Sequence, residues 1–364
     1  MKITGVALDA VHVNHRGDWV FVHVLTDEGI QGLGELRAGK NYGQQVAAVR
    51  ELGIQLTGQN PLNTERIVSE FKSSESHRIC ALSAIEQALW DILGKVLEVP
   101  VHTLLGGACR EDIRLYANIN RATTDRTPEG FAQNADAAVA QGFDAVKLAP
   151  FDGLPRAVNS ARDAQQGIAC IQAVRDAIGP ELDLLVDCHS HFTVKGALEV
   201  ADALSHLNLF WFEQPVPESD MEGCVAVKEQ CGLRVAGGEG RALREGFTEV
   251  FERASMHVIM PDVKIVGGIS ELKKVADMAA AWGIPTAPHG PSGPVTIAAG
   301  VEAMLTHPEF LILEYGWGEV NWRHELILPH ETIQRGRIRS NDQPGLGVAL
   351  NPDVVDAHRV PLKY

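Results

Sequence analysis

Apolar and polar residues change period along this chain. The opening "KITGVALDAVHV" alternates like a strand, and "WVFVHVLTDEGIQGLGE" (19–35) predicts a hairpin turning at Asp27-Glu28-Gly29. Two helical stretches follow, the second over roughly 79–97, where "ICALSAIEQALWDILGKVL" places apolar residues at helical spacing before Pro100 and Gly106-Gly107. From about 113 short apolar runs recur: "IRLYANIN", "AVKLAP", "LLVDCH", "LFWFEQP", "RVAGGE", "HVIMPDVK", "PTAPHG" and "FLILEYG". Helical patterns separate most of them, as over 128–141, 218–231 and 269–282. Strand alternating with helix implies parallel strands, and eight such strands close a (β/α) barrel of the TIM type. An open doubly wound sheet is disfavoured, because no GxGxxG follows the first strand. The pattern predicts an α/β protein: an α+β domain over 1–110, the barrel over 111–325, and a segment 326–364 that packs back on the first domain. Residues 152–166 read as an extended, polar and mobile connection.

The chain has 364 residues, 45% of them hydrophobic and 22% charged, enough to bury a core. A net charge of −15 excludes nucleic acid as an expected partner, and any anionic substrate must find positive charge local to its site. The six cysteines form no CxxC pair, which fits reduced thiols. No apolar run reaches the ~18 residues of a membrane span, and no signal core follows Met1, so a cytoplasmic location is expected.

Three apolar runs end on carboxylates: Asp187, Glu213 and Glu239, each 26 residues after the last. That interval is one βα unit, so consecutive strands deliver one carboxylate each to the C-terminal rim, where barrel enzymes keep their chemistry. A lone acid there usually caps a helix. Three close together repel unless a cation lies between them, and hard oxygen donors suit Mg²⁺. The following strands bring Asp262, His289 and Glu314. An Asp and a His on adjacent strands can hydrogen-bond, with the carboxylate fixing the imidazole tautomer for service as a base. His189 lies two residues after Asp187 and so faces the same mouth.

With these residues in place the sequence resembles the enolase superfamily, in particular its mandelate racemase-like subgroup. "MPDVKIVGG" and "LEYGWGE" are similar to signatures of its sixth and eighth barrel strands, and "TDEGIQGLGE" and "ALSAIEQALWDILGK" to its capping domain. The resemblance implies an N-terminal capping domain over a modified (β/α) barrel. It also implies Asp187, Glu213 and Glu239 as Mg²⁺ ligands, Asp262 with His289 as a catalytic dyad, and Glu314, in its protonated form, as donor to the substrate carboxylate. The racemase members carry Lys-x-Lys on the second barrel strand; here Lys147 fills the first position and Ala149 the second. Racemisation through that second lysine is therefore disfavoured. Acid-sugar dehydratases of the subgroup have a histidine matching His189. The implied activity is dehydration of a sugar acid, aldonate or aldarate. His289 and His189 share the base and acid roles, and Lys147 binds the carboxylate or stabilises the enolate. The alternative is an epimerase, racemase or cycloisomerase of a hydroxy acid or its lactone, with Lys147 as second base. Asn118, Asn120, Arg121, Tyr42, His15 and Trp317 are the expected substrate contacts. The partner expected is a small-molecule sugar acid, with no membrane, and the resemblance implies a homo-oligomer assembled through the capping domains.

Overall fold

The computed structural model describes residues 1–363. The chain opens with an antiparallel sheet of β1 (Ile3–Asn14), β2 (Gly17–Thr26) and β3 (Gln31–Leu36), in that order. Gly29 takes the left-handed conformation that the β2–β3 turn demands, with φ of 79°. Three helices follow: α1 (Gly43–Leu56), α2 (Thr64–Phe71) and α3 (Ser76–Leu97). Helix α3 lies directly on β3. A Cβ at Gly32 would meet the Ala88 carbonyl at 1.9 Å and one at Gly34 the Ala84 carbonyl at 2.0 Å, so "GIQGLG" is glycine-rich because two backbones touch there.

The barrel strands are β4 (Ile113–Asn118), β5 (Ala145–Leu148), β6 (Asp183–Asp187), β7 (Leu209–Glu213), β8 (Val235–Gly237), β9 (Val258–Ile259) and β10 (Leu313–Gly316). Strands β4 to β9 pair in chain order, all parallel, and β10 pairs β4. Single-residue bridges, Ile259 to Thr286 and Thr286 to Phe310, complete the ring. The expected strand at "PTAPHG" is therefore reduced to Thr286, and "HVIMPDVK" pairs only at Val258–Ile259. Two prolines in the first and one in the second remove the amide donors that a ladder needs.

The barrel interior is filled by Tyr116, Ala145, Leu185, Trp211, Ala236, Val258, Met260, Ala287 and Ile312, all buried. Side chains in a strand alternate faces, so the residue two places on also points inward, one layer nearer the C-terminal rim. That second layer consists of Asn118, Lys147, Asp187, Glu213, Asp262, His289 and Glu314. An apolar floor under a polar mouth follows from period two alone.

Two buried carboxylates pin the opening domain to the barrel. Glu35, at the end of β3, accepts from the amides of Gly293 (2.7 Å) and Thr296 (3.0 Å) at the start of the helix Pro294–Met304. Glu86 of α3 accepts from Ile269 N (2.6 Å), Ser270 N (2.9 Å) and Trp90 Nε1 (2.8 Å), and so caps the helix Ile269–Ala281. The final segment joins both bodies. Arg337–Ile338 pairs with Arg114 and Ile113 of β4, while Val360 N reaches Ala10 O and Leu346 N reaches Asp91. The connection after β5 is not loose: Phe151 is buried and Val158 bridges to Phe192.

Candidate active site

Asp187 and Glu213 are direct register partners on β6 and β7, which sets their backbones one strand spacing apart. Lys147 rises beside them from β5. Its Nζ lies 3.0 and 3.1 Å from the two Glu213 oxygens, 2.9 Å from Glu314 Oε1 and 3.9 Å from Asp187. Burial alone would discharge this lysine, but Glu213 and Glu314 hold its pKa well above the ordinary range. It is a fixed cation. Glu213 also accepts from Trp211 Nε1 at 3.0 Å, and its carboxyl is pushed up to about 8, by burial first and then by the charge on Asp187.

Glu314 accepts from Lys147, from Asn118 Nδ2 (2.6 Å) and from Gly290 N (2.9 Å). Burial pushes its pKa up, yet Lys147 and then His289 bring it down to about 2. Lys147, Asn118 and Gly290 all donate to it, an arrangement that favours the carboxylate over the protonated form that the resemblance implies.

His289 donates from Nδ1 to Asp262 Oδ2 at 2.8 Å, leaving Nε2 facing the mouth, 3.0 Å from Glu239 Oε2 and 3.6 Å from Glu314. Burial would lower its pKa, but Glu239, Glu314 and Asp262 together raise it. Asp262 is itself held low: burial opposes ionisation, and the Lys264 charge and the His289 hydrogen bond outweigh it. Lys264 stands 3.4 Å from Asp262 as its ion-pair partner.

His189 owes its position to a strained loop. His189 and Ser190 both take positive φ, 43° and 58°, a conformation costly for residues with a Cβ. Backbone bonds across to the next strand hold it: Cys188 N to Glu213 O (2.9 Å), Ser190 N to Gln214 O (2.7 Å) and Phe192 N to Pro215 O (3.1 Å). The ring lies between two carboxylates, with Nε2 2.8 Å from Asp187 and Nδ1 in contact with Asp152. The charge on Asp187 is the largest cause that pushes its pKa up to about 11, so the ring carries a proton, with 33% of its side chain open to solvent.

Asp152 was not singled out in the sequence. Besides His189 it holds Asn120 Nδ2 (3.2 Å), Arg126 (3.3 Å) and Arg16 from the β1–β2 turn (3.4 Å). The available signal was an Asp-Gly pair five residues after the mouth lysine, in a segment that reads as a polar connection.

The expected substrate contacts divide. Asn118 belongs to the mouth and Asn120 braces Asp152 and Arg126. Tyr42 is corrected: it is fully buried in the core of the opening domain, with its hydroxyl on Asp18 at 3.0 Å. Trp317 is corrected as well, since its indole faces outward onto Gln141 at 2.9 Å, within the core outside the barrel ring. Arg121 is committed to Glu319 at 3.1 Å, and His15 is exposed in the β1–β2 turn.

Among the described residues, no three His, Cys, Asp or Glu side chains close as a ready cage for a metal ion; Lys147 and His289 lie between the acids. The chemistry of Asp187, Glu213 and Glu239 fits a hard divalent cation, being all oxygen, and the buried Glu239 Oε2 has only His289 Nε2, 3.0 Å away, beside it. Cavities of about 430 and 400 Å³ open at His189. A larger one, about 860 Å³, lies beside Asp112 and Ile338 near the start of β4, away from these residues.

The chain matches the family model for the enolase C-terminal domain-like fold over residues 130–354, and that for the mandelate racemase / muconate lactonizing enzyme N-terminal domain over 5–106. It is 31% identical to a D-xylonate dehydratase of Haloferax volcanii, covering 99% of this chain and 89% of that protein. It is 29% identical to a D-galactarolactone cycloisomerase of Agrobacterium fabrum, covering 94% and 91%. A crystal structure of a mandelate racemase/muconate lactonizing enzyme from Jannaschia superposes with a TM-score of 0.91 at 30% identity, covering 100% of this chain and 99% of that one.

Proposed function

This chain belongs to the mandelate racemase-like subgroup of the enolase superfamily, and from that premise we propose that it is a Mg²⁺-dependent sugar-acid dehydratase. The observation that carries the reading is the pair of imidazoles, His289 and His189, each oriented by its own carboxylate on the rim of one mouth. Asp187, Glu213 and Glu239 would hold the metal, which supplies a Lewis acid for the charge that develops on the substrate carboxylate. Lys147 provides a fixed positive charge beside the same group, and its ion pairs with Glu213 and Glu314 suit it to binding rather than to proton abstraction.

His289 takes the proton from the carbon next to the carboxylate at Nε2, once that nitrogen leaves Glu239, while Asp262 holds Nδ1 and stabilises the imidazolium. The electron pair of the broken C–H bond passes into the carboxylate as an enolate, and its return forms the new double bond as the neighbouring C–O bond breaks. His189 gives its proton to the departing hydroxyl, which leaves as water, and Asp152 keeps the ring in place. The enol released then takes a proton at carbon to become a 2-keto-3-deoxy acid. The division at 110 and 325 into cap, barrel and tail belongs to this reading, supported by the change from antiparallel to parallel pairing.

The similarity to a cycloisomerase favours a second reading through the same enolate. A screen of aldonates and aldarates with Mg²⁺ in deuterated water separates the two. Keto-acid formation is expected. Deuterium exchange next to the carboxylate without loss of water would replace dehydration by the second reading.

A further inference from the structure

We infer that the mouth carries a second anion subsite on the far side of His189, formed by Arg16 and Arg156, and that the substrate is a sugar acid with a carboxylate at each end. This rests on the dehydratase reading for the near end of the substrate.

The two cavities at the mouth meet at His189 and Arg156. The first, about 430 Å³, runs past Gln214 and Glu239 toward the acids of the strand ends. The second, about 400 Å³, is bordered by Arg16, Arg126 and Asp152. A chain of carbons reacting at His189 with one end among the strand-end residues projects its other end into the second cavity.

That cavity is cationic in a chain whose net charge is −15. Its one carboxylate, Asp152, is matched by Arg126, whose guanidinium is engaged with Asp152 (3.3 Å), with Asn120 Oδ1 (2.9 Å) and with the Ala149 carbonyl (2.5 Å). Two guanidiniums remain in excess. Arg16 reaches Asp152 only at 3.4 Å, and its Nε is buried without a hydrogen-bond partner. Arg156 donates to the His189 carbonyl, and among the described residues no carboxylate pairs with it. A buried donor without an acceptor is costly, and a planar carboxylate is the acceptor that guanidinium geometry matches best. Sugar hydroxyls alone would leave that excess charge unanswered.

Matched pairs decide it: galactarate against galactonate and glucarate against gluconate, assayed with the full chain and Mg²⁺. The diacid of at least one pair should be favoured in kcat/KM by about 10²-fold, the worth of two charge-assisted contacts. Because Arg16 touches Asp152 and Arg156 the His189 carbonyl, the readout is the diacid-to-monoacid ratio of kcat/KM, which should fall roughly tenfold in Arg16→Met and in Arg156→Met, chiefly through the diacid KM. Equal or better turnover of monoacids, or losses alike for both classes, overturns the subsite and leaves the dehydratase reading standing. If no sugar acid is dehydrated, that reading fails, and calorimetry with adipate and hexanoate judges the subsite by itself. Tighter binding of adipate, lost in both variants, upholds it; equal binding removes it.

Discussion

At the scale of the residue, two histidines with opposite burdens define the mouth. His289 is oriented by the deep carboxylate of Asp262 and turns its other nitrogen into the mouth, 3.0 Å from Glu239, a residue counted among the metal's acids. His189 is clamped by two carboxylates, which favour the imidazolium. The first arrangement suits a base once substrate enters, and the second an acid. His289→Asn is expected to abolish deuterium exchange next to the carboxylate while Mg²⁺ binding, followed by calorimetry, persists; exchange at the wild-type rate would exclude it as the base. His189→Asn should lower dehydration by about 10² to 10⁴-fold, the usual worth of a positioned acid, with exchange still detectable by NMR. Normal turnover in that variant would leave His189 only a brace for Asp187.

At the scale of the element, the site depends on how strand ends and helix starts are held. Each barrel strand but β8, where Gly238 follows Ala236, leads from an apolar residue of the floor to a polar one two places later, so a register slip of one would turn every such group outward. The capping domain keeps its place through Glu35 and Glu86, whose carboxylates complete the N-termini of two barrel helices. Glu86→Ala would leave the amides of Ile269 and Ser270 without their acceptor in a buried seam, and the Trp90 indole with Ser270 Oγ alone. A loss of about 2 to 4 kcal/mol is expected, read as a lower urea midpoint with unchanged slope. A midpoint equal to wild type would show that water replaces the carboxylate.

At the scale of the whole molecule, the ends of the chain are brought together. Asp9 on β1 pairs with Arg359 from the final segment and with His23 at 3.1 Å on β2. The His23 hydrogen bond, chiefly, and Arg359 depress the Asp9 pKa to about 2 against the opposing effect of burial. A carboxyl lower in the folded state than its unfolded value of about 3.9 contributes stability above that value and loses it as pH falls toward 2. With part of the group in solvent, the contribution is about 1 kcal/mol. Asp9→Asn should therefore be less stable than wild type at neutral pH, and the difference should vanish on acidification below about pH 2. A difference constant with pH would assign the loss to packing. Mg²⁺ that binds only the folded protein should raise its melting temperature, and a chelator should reverse the rise.

What could be read from sequence was what local period controls. Apolar runs announced the strands, and equal spacing announced the carboxylates; Asp187 and Glu213 stand level in the sheet, while Glu239 lies beyond the end of β8, because Ala236 is the partner of Glu213. The floor and the mouth follow from the same period of two. What could not be read depends on pairing across loops. Asp152 meets His189, Arg16 comes from a distant turn to join them, and Tyr42 and Trp317 face away into packed cores. No spacing rule links residues 16, 152 and 189, since two loops of the barrel bring Asp152 to His189 and the placing of the cap over the barrel brings Arg16 to both. The sequence by itself determined which groups stand on the strand ends; the tertiary structure decided which loops come to meet them, because loop contacts are fixed by the packing of whole bodies rather than by the rise of a strand.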